Sequence, residues 1–201
     1  LFDPIRKKIF PKFPKNIGVI TSPSGAAVKD IQTTIKRRYP IAKVLLYPTL
    51  VQGKKAAADI EKNIIRASNN TNLDVIILAR GGGSFEDLFA FSEEKVVRAV
   101  ADSPIPIITA IGHETDLSLS ELASDLRAPT PTAAAEMATP DLVNILTHLK
   151  QMEQRMENSM LYQIRRLSDQ LIKIQDSYIF QQPERLYQTY EETTIHKGFF
   201  R

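Results

Sequence analysis

The residues of this chain that are best suited to chemistry lie in three short segments, each of which follows an apolar run. His113 and Asp116 stand three residues apart in AIGHETD (110–116), where the apolar run PIPIITAIG ends. A histidine can give or take a proton near neutral pH, and a neighbouring carboxylate can orient its ring or stabilise its charge. This spacing predicts that His113 moves a proton with support from Asp116; the alternative is a structural histidine.

The second segment, ARGGGSFEDL (79–88), combines Arg80 with three consecutive glycines. Glycine lets the backbone approach a ligand closely, and a guanidinium forms paired hydrogen bonds with phosphate or carboxylate. The segment matches neither the P-loop nor the G-x-G-x-x-G dinucleotide fingerprint. It therefore predicts a ligand-contacting loop of another kind, with a tight turn as the alternative.

The third segment, TSPSGAAVKD (21–30), leads into a predicted helix through Ser22, Ser24 and Gly25. The N–H groups and the dipole at a helix N-terminus favour an anion. Asp30 falls in the first turns of that helix. The segment predicts an anion-binding helix start, and a plain N-cap followed by a surface Asp is the alternative.

Together these groups suit attack on a phosphodiester. His113 would move a proton, Arg80 would neutralise the charge of the phosphorane, and the glycine N–H groups would hold the non-bridging oxygens. The candidate catalytic residues are Asp30, Arg80, His113 and Asp116. The candidate substrate-binding residues are Ser22, Ser24, Gly25, Gly81, Gly82, Gly83, Ser84, Gly112 and Thr115.

Several other reaction classes fit the sequence poorly. The chain has no cysteine, which excludes disulfides and thiolate zinc sites. A catalytic zinc ion needs three protein ligands, whereas His148 and His196 belong to the helical C-terminal part. No G-x-S-x-G elbow is present, so a serine hydrolase is not expected. An Mg²⁺ ion held by Asp30 and Asp116 stays open.

Strands and helices alternate along the first half of the chain, and this order must bring the three segments together. Apolar runs predict strands over 16–21, 42–48, 73–79 and 106–112, and helical spacing predicts helices over 24–39, 55–68 and 93–103. This alternation is typical of an α/β fold, here a Rossmann-like, three-layer parallel sheet covered by helices. Ligands of such folds bind where the carboxyl ends of the strands stop.

The pattern changes after Gly112. We expect a short helix over 117–126 and a turn-rich passage with a small helix over 127–141. From Leu142 to Tyr178, apolar residues recur every three or four positions. This spacing predicts a helix of about 55 Å with a coiled-coil seam, broken by a stutter near Met156–Ile164. It would pack on a partner, or return as a hairpin at Gln181-Gln182-Pro183.

Three regions are predicted along the chain. Residues 1–15 combine three prolines with five basic residues and are interpreted as a linker from an upstream domain outside this chain. Residues 16–140 form the α/β catalytic domain. Residues 141–201 form a long, truncated helical extension that binds a partner. Because the chain begins with Leu1, we interpret it as a fragment of a longer protein.

Positive charge is concentrated at the N-terminal side of the chain. The net charge is +3, but residues 1–55 contain twelve Lys and Arg against two Asp, which gives +10 there and −7 in the rest. This asymmetry predicts a polyanion partner, with a solvated surface as the alternative. No signal peptide or apolar run of about eighteen residues is visible, so we expect a cytoplasmic protein without membrane association.

Four motifs spread over residues 2–141 together carry a resemblance. They are IGVITSPSGAAVKDI, YPTLVQG, RGGGSFEDLFAF and AIGHETDLSLSELASDLRAPTPTAAAE. The chain resembles the large subunit of bacterial exodeoxyribonuclease VII, since GHETD followed by D-RAPTPTAAAE is highly specific. The resemblance implies hydrolysis of single-stranded DNA from its ends to short oligonucleotides, with no cofactor required. It also implies an upstream OB-fold domain, a small subunit bound on the helical extension, and catalysis by the same four residues.

Two other functions remain as alternatives. The first is a non-catalytic DNA-binding and assembly module. The second is an α/β enzyme for a small phosphorylated molecule, which the extended positive charge of residues 1–55 disfavours. Phe85, Phe89 and Phe91 follow the glycines and could stack on bases, but we favour a role in the core.

Overall fold

The computed structural model describes residues 1–81, 88–112, 117–182, 184 and 187. It divides the chain into two compact units, Leu1–Ile145 and Leu146–Arg201. The strands are β1 (Asn16–Thr21), β2 (Lys43–Pro48), β3 (Val75–Ala79), β4 (Ile107–Ala110) and β5 (Leu126–Arg127). The helices are α1 (Ala26–Arg38), α2 (Ala56–Ser68), α3 (Phe89–Ser92), α4 (Glu94–Asp102), α5 (Leu119–Ala123), α6 (Pro131–Ala138), α7 (Leu142–Gln175) and α8 (Tyr178–Gln181).

The described strands of the first unit form one parallel sheet in the order β2-β1-β3-β4-β5. This is the second common doubly wound order, and it confirms the predicted parallel α/β fold. The chain moves from β1 outward to β2 and then crosses back to β3. Because crossover connections are right-handed, α1 and α2 lie on opposite faces of the sheet. The direction changes between β1 and β3, so a crevice opens at their carboxyl ends.

Side chains alternate between two cores along each strand. On β3, Ile76 and Leu78 pack with α2, α3 and α4. Val75, Ile77 and Ala79 point to the other face and pack with α1 and α6. All five are buried, which explains why this strand is a continuous apolar run rather than an alternation of apolar and polar residues. The result is three layers with the sheet in the middle.

The end of the first unit departs from the predicted pattern. The helix expected over 117–126 is shorter, because Ser124 is already extended (φ −70°, ψ 160°) and the chain then pairs with β4 as β5. The Ser124 and Thr109 hydroxyl oxygens lie 2.8 Å apart in a buried hydrogen bond. A strand as short as β5 offers no alternating pattern, and neither β5 nor α3 was predicted.

The N-terminal segment lies along the amino-terminal edge of the sheet. The Lys8 N–H donates to Asp125 Oδ1 at 2.7 Å, and Asp125 Oδ2 accepts from the Ile107 N–H at 2.7 Å. Further along the segment, the Lys15 N–H donates to Asp74 Oδ2 at 2.6 Å. These carboxylates stand at the beginnings of β3, β4 and β5, so the segment occupies the edge opposite the crevice.

Most of the described part of the second unit belongs to α7, which begins at Leu142 and confirms the long C-terminal helix. Its 34 residues make a helix of about 51 Å. None of its residues is buried, and its exposed apolar side chains include Leu146, Leu149, Met152, Met156, Met160, Ile164, Leu167 and Leu171. No helix in the described part of the chain is long and apolar enough to span a membrane.

Candidate active site

A cleft of about 550 Å³ lies at the carboxyl ends of β1, β2 and β3. It is lined by residues 22–26, residues 48–52, Asp59, Arg80 and Gly81. This is where the direction of the strand order changes, the usual ligand position in doubly wound sheets. The cleft brings together five of the residues selected from the sequence: Ser22, Ser24, Gly25, Arg80 and Gly81.

One wall of the cleft is the N-terminus of α1. Gly25 is its N-cap residue, with φ −78° and ψ 162°, and no side chain of the described residues caps the helix. The first turn contains no acidic residue. Because a helix start carries unpaired N–H groups and a partial positive charge, this wall is suited to an anion. Any residue can adopt the Gly25 backbone conformation, so glycine is valuable here mainly for its lack of a side chain.

Arg80 directly follows β3 and borders the cleft. Its side chain is largely buried, with 7% of the residue exposed, and its N–H donates to the Ala110 carbonyl at 3.0 Å. Gly81 lies against α1, where an added Cβ would stand 3.9 Å from the Ala27 nitrogen, an ordinary contact. The Arg80 backbone is thus held between the ends of β3 and β4, and its largely buried side chain borders the cleft.

Asp30 does not line the cleft. It is exposed on α1, one turn beyond Ala26, which does line it. Among the described residues, the Asp30 carboxylate makes no hydrogen bond or ion pair. The structure therefore places Asp30 beside the cleft and leaves its carboxylate available.

The remaining candidates fall outside the cleft or outside the described residues. His113, Thr115 and Asp116 lie outside the described residues, as do Gly82, Gly83 and Ser84. Gly112 is described: it is buried, and its N–H donates to Glu121 Oε1 at 3.3 Å.

The opposite wall, residues 49–52, was not selected from the sequence as a site. Its position is fixed because the Leu50 N–H donates to Asp59 Oδ2 at 2.8 Å and the Thr49 N–H donates to the Thr21 carbonyl at 3.0 Å. Leu50 is 55% exposed, so a large apolar side chain stands at the cleft without a core role. These residues belong to the motif YPTLVQG. Its local pattern does not predict that they line a cleft, because contacts with distant residues determine their position.

Thr21, at the end of β1, carries a buried polar atom without a partner. The residue is 0% exposed, and its Oγ1 makes no hydrogen bond to any described residue. A buried unsatisfied hydroxyl costs about 1–3 kcal/mol. The Thr21 hydroxyl therefore lowers the stability of the sheet at the edge next to the cleft.

The phenylalanines that follow the glycines divide between core and surface. Phe91 is fully buried, which confirms the expected core role. Phe89 is 64% exposed, so a core role is wrong for it, because the four-residue α3 turns its first residue away from the sheet. Phe85 lies outside the described residues.

Charge is distributed differently in space than along the sequence. Four of the N-terminal cations pair with acids from later in the chain: Arg6 with Asp102, Lys8 with Asp125, Arg37 with Glu136, and Arg38 with Asp141. Lys54 and Lys55 are exposed just beyond the cleft residue Gln52 and, among the described residues, make no ion pair. Unpaired positive charge is therefore present at the cleft edge.

Within the described ranges, no group of three or more His, Asp or Glu side chains is close enough to share a metal ion. Of the two proposed Mg²⁺ ligands, Asp30 is described and Asp116 is not. Asp30 is an oxygen ligand of the kind Mg²⁺ uses, but Mg²⁺ usually keeps several waters and needs one or two carboxylates. The described residues thus supply one such ligand.

Comparison with known proteins gives a consistent result. The family model "Exonuclease VII, large subunit" matches residues 1–197. The chain is 50% identical over 182 residues to the exodeoxyribonuclease 7 large subunit of Enterococcus faecalis, covering 90% of this chain and 41% of that protein. The corresponding protein of Geobacillus kaustophilus is 52% identical over 192 residues, covering 96% and 43%. That of Limosilactobacillus reuteri is 54% identical over 187 residues, covering 92% and 42%. The chain spans about two-fifths of the length of these curated relatives.

Proposed function

This chain belongs to the exonuclease VII large-subunit family, and from that premise we propose that it is the catalytic part of an exodeoxyribonuclease. It would hydrolyse phosphodiester bonds of single-stranded DNA from the ends and release short oligonucleotides. The observation that carries the proposal is the cleft at the carboxyl ends of β1, β2 and β3, which combines Arg80 with an uncapped helix start. Both features favour a phosphate.

The proposed mechanism assigns a separate task to each group. A phosphate of the strand lies between Arg80 and the N-terminus of α1, with Ser22 and Ser24 as hydroxyl donors. Arg80 neutralises the charge that develops on the phosphorane. A water molecule attacks the phosphorus, His113 transfers the proton of this water to the oxygen that leaves as the P–O bond breaks, and Asp116 orients the His113 ring. Glycine N–H groups hold the non-bridging oxygens.

Asp30 and the far wall complete this proposal. Asp30, exposed beside the cleft, is the second catalytic carboxylate. The volume of about 550 Å³ lies within the range of small-molecule sites and admits one nucleotide next to the reacting phosphate. Leu50 would then offer an apolar surface to its base, since contact between apolar surfaces removes both from water.

The second unit has a different task in this proposal. The apolar side chains along α7 form a coiled-coil seam on which copies of the family's small subunit bind. The support is their exposure together with helical spacing, because apolar residues in register along one helix gain stability by packing on another. A hairpin within the chain is the other way to cover them.

A nuclease assay tests the proposal. The full-length large subunit that contains this chain, assembled with its small subunit, is incubated with end-labelled single-stranded and double-stranded DNA in EDTA or in Mg²⁺. We expect single strands to be cut in EDTA, and His113→Ala to bind DNA but not cut it. Cutting only in Mg²⁺ would make Asp30 and Asp116 metal ligands. Binding without cutting in every condition would overturn the enzyme proposal in favour of a DNA-binding module.

A further inference from the structure

A buried carboxylate bonds to Gly112 and Ser118, the described residues on either side of the segment 113–116. Glu121 belongs to α5, and its side chain is 0% exposed. Its Oε2 accepts from the Ser118 N–H at 2.9 Å and from the Ser118 hydroxyl at 3.2 Å. Its Oε1 accepts from the Gly112 N–H at 3.3 Å and from Arg127 Nε at 3.3 Å. A charge this deeply buried persists only with such a set of partners.

Helix capping accounts for only one of the two oxygens. Ser118 is the N-cap of α5 and Glu121 its third residue, so the contacts at Oε2 form a capping box. The bond from Gly112 lies outside the helix, nine residues before Glu121. A five-residue helix that needed a cap could use an exposed glutamate. The burial of Glu121 and its second set of contacts therefore require another explanation.

The positions of the two N–H donors supply that explanation. Gly112 immediately precedes His113, and Ser118 follows two residues after Asp116. Gly112, after β4, thus donates to one oxygen of the Glu121 carboxylate, and Ser118, before α5, donates to the other. We propose that Glu121 is a positioning residue that holds both ends of the segment carrying His113 and Asp116, and so determines where these side chains meet the substrate. This inference rests on the proposed function and deepens it.

The physical basis is the steep dependence of proton transfer on geometry. A general acid or base must lie within hydrogen-bond reach of the proton it moves, and a displacement of about 1 Å can reduce a rate about 10²-fold. Glu121 does not need to touch DNA to have this effect. Arg127 adds a second contact to the same Oε1, which restrains the carboxylate from the β5 side.

The test measures kinetics of the full-length large subunit with its small subunit on end-labelled single-stranded DNA. Glu121→Gln keeps the size and one acceptor oxygen but replaces the other with an NH₂ group that cannot accept. We expect kcat to fall about 10²-fold while KM and DNA binding stay within about threefold. A binding or purely structural role would instead change KM, or lower the amount of folded protein.

Two matched variants separate positioning from capping and from charge. Ser118→Ala removes the capping hydroxyl and its 3.2 Å bond to Glu121 Oε2, but it leaves the two N–H bonds that hold the ends of the segment, so kcat should stay within about threefold of wild type. Glu136→Gln removes an exposed carboxylate that pairs with Arg37 at 3.6 Å, and it controls for the change of charge. If Ser118→Ala costs as much as Glu121→Gln, the effect belongs to the helix cap and the proposal is wrong.

A wild-type kcat for Glu121→Gln would also overturn the proposal. Hydrogen exchange of the wild-type complex decides the matter if Glu121→Gln does not fold: the Gly112 and Ser118 amides should exchange as slowly as those of β4. Rapid exchange at either amide would show that Glu121 does not hold that end of the segment. Wild-type protein that cuts no DNA would refute the proposed function, whereas cutting that depends on His113 but not on Glu121 would refute only this inference.

Discussion

Thr21, at the end of β1, carries a buried hydroxyl whose removal should stabilise the protein. Its buried hydroxyl has no described partner, so Thr21→Val removes an unsatisfied polar atom with little change in shape. We expect the free energy of unfolding to rise by about 1 kcal/mol. Urea denaturation of the purified protein measures this change.

Thr109→Val is the matched control, because Thr109 is also fully buried in the sheet but bonds to Ser124 at 2.8 Å. Its replacement removes this bond, while the Ser124 hydroxyl keeps its bond to the Glu121 carbonyl at 2.9 Å, so the free energy of unfolding should fall by about 0.5–1.5 kcal/mol. If Thr21→Val destabilises the protein as much as Thr109→Val does, the Thr21 hydroxyl is satisfied after all.

The clustering of candidate residues was predictable where the chain order alone brings them together. Ser22, Gly25, Arg80 and Gly81 share one cleft because the carboxyl ends of parallel strands meet at one edge. Glu121 was not predictable as a site residue. Its local pattern, Ser followed three residues later by Glu, indicates an ordinary capping box, and the bond from Gly112 exists only in the folded chain.

Among the elements, the start of α1 provides a direct test of the anion-binding wall. Gly25→Asp would cap the helix and complement its dipole, which should raise stability by a few tenths of a kcal/mol. The same carboxylate would stand where we place the phosphate. We therefore expect DNA cleavage to fall at least about tenfold while the melting temperature stays equal or rises.

Gly25→Asn supplies the same size and a similar cap without the charge, and it should keep most of the activity. An added Cβ at this position would meet the Ser22 Cβ at 3.6 Å, an ordinary contact, so neither variant is strained. Equal loss of activity in both variants would mean that bulk, rather than charge, is excluded from this wall.

The elements that were predicted share a strong local signal. β1, β3 and β4 are apolar runs buried on both faces, and α1 and α2 have one apolar stripe each. β5 has two residues and owes its position to Asp125 and Ser124, which bond to β4. Contacts between distant parts of the chain determine such short elements, and no periodicity within the chain encodes them.

Across the whole molecule, the separation of charge along the sequence is reduced by folding. Arg6, Lys8, Arg37 and Arg38 pair with acids, whereas Lys54 and Lys55 stay exposed beside the cleft. We expect the double replacement of Lys54 and Lys55 by Ala to weaken binding of single-stranded DNA. The slope of log K against log salt should fall by about 0.7 for each phosphate that the variant no longer neutralises.

Lys43→Ala is the control for this measurement, because Lys43 is exposed at the first position of β2, on the opposite edge of the sheet. Its slope should match that of the wild type. A double variant at positions 54 and 55 with an unchanged slope would place the DNA path away from this edge.

The family could be recognised from the sequence because its motifs are dense and specific over residues 2–141. The matches over most of the chain to known large subunits confirm that resemblance. The sequence does not predict what packs on α7. A regular apolar stripe can be covered by a partner subunit or by a returning helix of the same chain.

Arg80→Lys, compared with wild type in the full-length complex, separates catalysis at the cleft from DNA binding. Lysine keeps the positive charge but loses the planar fork that holds two phosphate oxygens. Single-turnover cleavage and equilibrium binding of the same labelled single strand are measured side by side. We expect cleavage to fall about 10²-fold or more while the Kd changes less than about fivefold. Cleavage at the wild-type rate would contradict the assignment of phosphodiester hydrolysis to this cleft.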